Sequence, residues 1–145
     1  KPVIERLKET GWTFGSHTWG HIRLDSRPLE SVQRDTVRWA EEVGSLVGPT
    51  NILFYPHGGR PDGDDWHSTG PVFQYLQSQG FRIFASVGIN SFSYIKKDIS
   101  AVICDRLHPD GTTLRNGKAL EWYSQFYDAR EIIDLDVRPD LGVTW

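Results

Sequence analysis

Residues 12–21 read WTFGSHTWGH, a run that passes through glycine and serine into two histidines four positions apart. WTFGS suits a strand, which would deliver His17 and His21 at its C-terminal end. The same grammar recurs at residues 51–58, NILFYPHG. There a compact apolar run suited to a buried strand opens into a loop rich in Gly, Asp and Pro that lasts to Thr69. A third instance, AVICDRL at 101–107, runs directly into His108.

Helical patterns separate these runs. Lys1 to Thr10 carries Val3, Ile4 and Leu7 on one side, and Gly11 suits a left-handed cap. A long helix is predicted next, with Ser26 as N-cap and Pro28 in its first turn. On it Leu29, Val32, Thr36, Trp39, Val43 and Leu46 step by threes and fours, until Gly48 and Pro49 end it. Pro71 and Gly80 bracket another helix containing Val72, Tyr75 and Leu76. FRIFASV at 81–87 reads as a strand, GKALEWYSQFY at 117–127 as a helix and EIIDLDV at 131–137 as a last strand. Alternating helices and strands predict a parallel α/β architecture, open or closed into a barrel. Functional groups in such folds gather at the C-terminal ends of the strands. His17, His21, the Pro56–His57 turn and His108 are therefore expected to converge.

Composition narrows the function. At 145 residues the chain fits one domain with a sizeable core. Its net charge of −3 lacks the basic footprint with which nucleic-acid binders neutralise phosphate, and no apolar run approaches membrane-span length. The single cysteine, Cys104, forms no internal disulfide. Six Trp, five Tyr and seven Phe are read first as core packing, with a sugar-stacking platform as the alternative.

The four-residue spacing of His17 and His21 puts two imidazoles on one face of a turn, where both can bind one metal ion. Neutral imidazole suits zinc and several other divalent ions, and two histidines need a third ligand, usually a carboxylate. Spacing alone does not separate this from coincidence. Thr18 stands where a zinc-protease motif requires a glutamate, so that chemistry is unsupported. Asp62, Asp64 and Asp65 match no complete calcium loop and read as a wet turn, and His67 as a solvated loop residue.

GWTFGSHTWGHIRL, followed by an amphipathic helix, resembles the second motif of the polysaccharide deacetylase (NodB-homology, carbohydrate esterase) family. The pattern there is His-Ser/Thr-x-x-His, which His17, Thr18 and His21 match position by position. LFYPHGGR resembles the third motif, an aromatic-x-Pro-Tyr-Gly wall of the substrate groove: Tyr55, Pro56 and Gly58 agree, and His57 stands in place of Tyr. Many members carry Arg where this chain has Phe54, and Arg60 is the candidate to supply that charge. The late Leu-x-His motif is approximated by DRLHPDG, in which Leu107 directly precedes His108, one residue out of register.

The resemblance implies an irregular (β/α) barrel that hydrolyses acetyl groups, N-acetyl ahead of O-acetyl, from an acetylated carbohydrate substrate. His17 and His21 would hold a divalent ion, zinc first. The backbone N–H of His57 would hold the oxyanion, His108 would act as general acid, and Tyr55, Pro56, Gly58 and Arg60 would contact the sugar. The family's first motif, Thr-Phe-Asp-Asp-Gly, supplies the third ligand and the base, and it occurs nowhere in the chain. Residues 1–145 are accordingly expected to be the C-terminal portion of one catalytic domain lacking its first strand, incomplete without a segment bearing that Asp pair. Family analogy places it outside the cytoplasm or at the cell envelope. The alternatives are a non-catalytic carbohydrate-binding or scaffold descendant of this fold, and an unrelated sugar-isomerase-like barrel.

Overall fold

The computed structural model describes residues 2–63, 70–87, 93–97, 100–106, 121 and 123–125. By internal contacts the chain divides into two compact units, Lys1–Arg106 and Leu107–Trp145. In the second unit the hydroxyl of Ser124 donates to the carbonyl of Glu121 at 2.7 Å, closing a single turn. His67, His108, most of the helix expected at 117–127 and the strand expected at 131–137 lie outside the described residues.

The first unit is a mixed α/β layer. Helix α1 spans Pro2–Glu9 and α2 spans Leu29–Trp39. A π-helical stretch, Ala40–Gly44, continues α2 into a last turn, α3, at Ser45–Val47. Strand β1 is Ile52–Phe54, helix α4 is Pro71–Ser78, and strands β2, β3 and β4 are Ile83–Val87, Ser93–Lys96 and Ala101–Arg106. The sheet order is β1-β2-β4-β3. The first three of these neighbours run parallel, with Leu53 beside Phe84 and Phe84 beside Ile103. Edge strand β3 is antiparallel to β4.

Three sequence expectations need correction. The all-parallel sheet is mixed, because the short link between β3 and β4 permits only a hairpin-like return. WTFGS does not become a strand. Only Ser16 bridges to Leu53, its N–H donating to Ile52 at 2.9 Å and its carbonyl accepting from Phe54 at 2.8 Å. Ser26 does not cap α2; Pro28 occupies the N-cap position without a side-chain hydrogen bond. The bounds of α1 and α4 and the end of α3 agree within a residue or two of the sequence reading, including Pro71 at the first turn of α4 and left-handed Gly80 just beyond it.

Leu53 and Phe84 point toward α2 and α4, where they join Leu24, Val32, Val72 and Leu76 in the core. Phe84 is fully buried, and burial of one such side chain contributes roughly 2–3 kcal/mol. Strand alternation sends Ile52, Phe54, Ala85, Cys104 and Arg106 to the opposite face. On that face Gly15 lies so close that a Cβ would meet the Phe54 ring at 2.5 Å. A side chain at 15 would therefore displace the strand's last residue, on which the histidine turn rests.

Candidate functional site

His17 follows the Ser16 bridge and His57 follows β1, so two adjacent parallel segments end side by side. His21 lies between them. Its ring centroid is 4.8 Å from that of His17 and 4.4 Å from that of His57. The three imidazoles thus share one end of the sheet, as their position after strand ends predicted.

His17 is fixed by its backbone neighbour. Its Nδ1 lies 2.9 Å from the carbonyl oxygen of Phe54. A carbonyl only accepts, so Nδ1 carries the proton and a neutral ring keeps its lone pair on Nε2. Partial burial is the largest influence on its pKa, holding it below the ordinary value, and the nearby Arg106 charge acts in the same direction. The bond to Phe54 opposes these without reversing them. The neutral form is favoured, and Nε2 meets no hydrogen-bond partner among the described residues.

The turn between the two histidines is braced from several sides. Thr18 Oγ1 accepts from the N–H of Ile22 at 3.1 Å, and buried Ser16 Oγ accepts from the N–H of Thr18 at 3.2 Å. Asp35, on the inner face of α2, accepts from the N–H groups of Trp19 at 2.8 Å and Gly20 at 2.7 Å. Gly20 packs tightly there, since a Cβ would stand 3.1 Å from the Asp35 carboxylate. Trp19 lies under the Arg38 guanidinium, 3.5 Å from the ring centroid, and donates its indole N–H to Glu42 at 2.8 Å. Thr18, His21 and His57 all have positive φ, at 60°, 51° and 55°. Left-handed backbone at non-glycine residues clusters at functional sites and persists only where surroundings over-determine it.

The Tyr55–Arg60 region, which resembles the third motif, behaves differently. Tyr55 and Pro56 are buried. The Tyr55 ring packs in the core, 6.3 Å from that of Phe84, and burial raises its phenol well above the ordinary range. Only the Tyr55 backbone reaches the site, its carbonyl accepting from Arg106 at 3.4 Å. Gly58 and Arg60 line a cleft of about 520 Å³ together with Arg23, Asp25, Ser26 and Ser86. Arg60 stands 3.7 Å from Asp105, and Gly59 abuts the Asp25 carboxylate, which is ion-paired with Arg23. Asp62 leaves the expected wet turn to accept from the N–H groups of Val72 and Phe73, capping α4 at 3.1 and 2.9 Å.

Two residues of this neighbourhood were not singled out in the sequence. Arg106 ends β4, its guanidinium 5.8 Å from the Phe54 ring centroid and its buried Nε without an acceptor among the described residues. Nothing in the sequence separates it from other strand-end arginines. Asp35 did carry a signal: it is a carboxylate on the stripe that buries Val32 and Trp39.

Two imidazoles sharing one tetrahedral ion at metal–nitrogen distances near 2 Å have ring centroids about 5 Å apart. The His17–His21 separation of 4.8 Å matches, and a backbone carbonyl holding the non-ligating nitrogen is the usual support of such a ligand. The residues present fit a metal pair. Among the described residues no group of three His, Cys, Asp or Glu side chains is gathered to hold an ion alone.

The sequence model of the polysaccharide deacetylase family matches residues 1–82, which include both histidine segments and β1. The chain belongs to the polysaccharide deacetylase family. No curated protein and no solved structure matches it. Membership brings hydrolytic deacetylation of carbohydrate as the general activity and carbohydrate as the general substrate. No helix among the described residues is long and apolar enough to cross a membrane.

Proposed function

We propose that this deacetylase chain carries the metal-ligand and oxyanion half of a site that removes acetyl groups, N-acetyl ahead of O-acetyl, from a polysaccharide or oligosaccharide. The observation that supports it best is the His17 ring, held by Phe54 with its second nitrogen unpartnered among the described residues, 4.8 Å from the ring of His21. The ion these two would hold, zinc first, supplies Lewis-acid polarisation of the acetyl carbonyl and activation of water when bound.

The remaining roles belong to this chain's own groups. The backbone N–H of His57 donates to the oxyanion that develops on the acetyl carbonyl. Removal of one such donor typically lowers turnover about 100- to 1000-fold. The cleft beside Gly58 and Arg60 seats the sugar, with Tyr55 and Pro56 setting the turn from behind rather than touching substrate. Arg106, whose Nε lacks an acceptor among the described residues, receives a carboxylate that serves as base. In the family an Asp pair supplies such a carboxylate and the third ligand. The general acid that the resemblance implies at His108 lies outside the described residues. The sheet of the first unit is read as part of an irregular (β/α) barrel. By family analogy the protein works outside the cytoplasm or at the envelope.

Zinc or cobalt binding by the wild-type chain, His17→Ala and His21→Ala tests the reading, alongside acetate release from an N-acetylated oligosaccharide measured with the family's Asp pair supplied. Each substitution is expected to weaken metal binding at least 100-fold and to abolish release. Equal metal content and equal rates in all three proteins would remove the metal assignment. A non-catalytic carbohydrate-binding role is favoured by one observation, that the described ligand set stops at two imidazoles. It predicts sugar binding without acetate release.

A further inference from the structure

We infer that Asp35 is the positioning residue of the histidine pair, a buried carboxylate on α2 that fixes the His17–His21 turn in its ligating shape before any ion arrives. The inference rests on reading His17 and His21 as ligands, but it concerns a residue that touches neither ring.

Asp35 is nine-tenths buried, and a carboxylate in that setting is retained only with full hydrogen bonding. Its two oxygens accept separately from consecutive backbone N–H groups, Oδ1 from Trp19 and Oδ2 from Gly20, at 2.8 and 2.7 Å. Such charge-assisted bonds are about twice as strong as neutral ones. They hold the two residues immediately before His21, whose backbone is left-handed at φ 51°. Without a brace at 19 and 20, His21 is free to relax to ordinary backbone, and its ring would leave the 4.8 Å approach to His17. Thr18 braces the same turn only through neutral bonds at 3.1 and 3.2 Å.

The helix extends the grip. Arg38 and Glu42, three and seven residues beyond Asp35, clasp the Trp19 ring from its face and its indole nitrogen. Asp35 and Arg38 stand on α2 and Glu42 on the π-helical stretch that continues it, so the turn is held by that helix from three positions. An acceptor pair is needed at 35. Asparagine has the same shape but offers one carbonyl oxygen, and its amide NH₂ would confront the other backbone donor.

The test uses the full chain as wild type and as Asp35→Asn. It reads amide hydrogen exchange at Trp19, Gly20 and the core-helix residue Leu76, and the Co²⁺ dissociation constant by chelator competition. We expect exchange at Trp19 and Gly20 to accelerate at least 10-fold in D35N with Leu76 unchanged. Co²⁺ affinity should fall about 10- to 100-fold, the usual effect of removing a supporting hydrogen bond. A folded D35N variant with both readouts within twofold of wild type would overturn the inference. Should D35N fail to fold, Gly20→Ala pushes the same carboxylate away through a Cβ at 3.1 Å and is held to the same two readouts. If the wild type binds no Co²⁺, the ligand assignment fails. The exchange rates then judge the brace by themselves.

Discussion

At the end of the sheet where its parallel strands begin, left-handed backbone falls to glycine. Gly11, Gly48 and Gly80 have φ of 89°, 92° and 97°, and each faces open space. At the end where the parallel strands finish, Thr18, His21, His57 and Asp62 adopt the same region with side chains attached, joined among the described glycines by Gly58 and Gly63. A non-glycine residue there costs about 1–2 kcal/mol. The strand-start turns accept the cheap solution because nothing is asked of them beyond reversing direction. At the strand finish the side chain is itself the reason for the turn: Thr18 braces Ile22, Asp62 caps α4 and the two histidines meet. Ser100, in the tight return to β4 with φ 50°, is the one described exception.

The largest effect expected from this contrast is at Gly15, which joins the two ends. Its added Cβ would lie 2.5 Å from the Phe54 ring and 3.1 Å from Ile52. Gly15→Ala should destabilise by about 1–3 kcal/mol, as overpacking does, and should disturb the Phe54–His17 hydrogen bond through the same ring. Urea unfolding with imidazole NMR reads both. An unshifted midpoint would mean that the Phe54 ring swings aside freely and the site is not seated on it.

What the sequence made legible follows the same division. Pro71, Gly80, Gly48 and the apolar steps of α2 announced the scaffold because they act locally, through φ restriction and helical period. The histidines were legible because metal-binding spacing is also local. Tyr55 was misleading: an aromatic beside a functional turn looks like a groove wall, yet strand alternation turns its ring into the core. Asp35 acts sixteen residues from Trp19 in sequence, and Arg106 meets Tyr55 from 51 residues away. Partners set by tertiary packing leave no spacing to read. Edge strand β3 escaped as well, because an edge strand shows neither a fully apolar run nor strict alternation at four residues.

A paired substitution sharpens the comparison at smaller cost. Gly80→Ala should destabilise by about 1–2 kcal/mol, since a Cβ is disfavoured at φ 97° even in open space. His57→Gly should run the other way. It relieves the strain at φ 55°, and the entropy lost by a more flexible unfolded chain offsets part of that, leaving a net gain up to about 1 kcal/mol. Thermal or urea midpoints moving in opposite directions would support functional strain at His57. A loss of stability in both would show that the His57 ring contributes more to the fold than its backbone conformation costs.

The smallest effect is a pH slope that only the site end should have. Burial first, with Arg106 and the two neighbouring histidines adding to it, holds the His17 pKa below its ordinary value of about 6.5. The unfolded chain therefore takes up a proton at higher pH than the folded chain does. Stability from this group is fully present above about pH 6.5 and declines as pH falls toward the lowered folded value, because the unfolded state binds more protons across that window. His17→Asn removes the titration while its side-chain amide can still donate to the Phe54 carbonyl. In metal-free buffer the wild type should lose more stability than H17N between neutral and mildly acidic pH, measured by urea midpoints. Parallel curves would mean that the imidazole is protonated as easily inside the fold as outside it, and a ring that accepts protons so readily is poorly prepared to offer its lone pair to a metal.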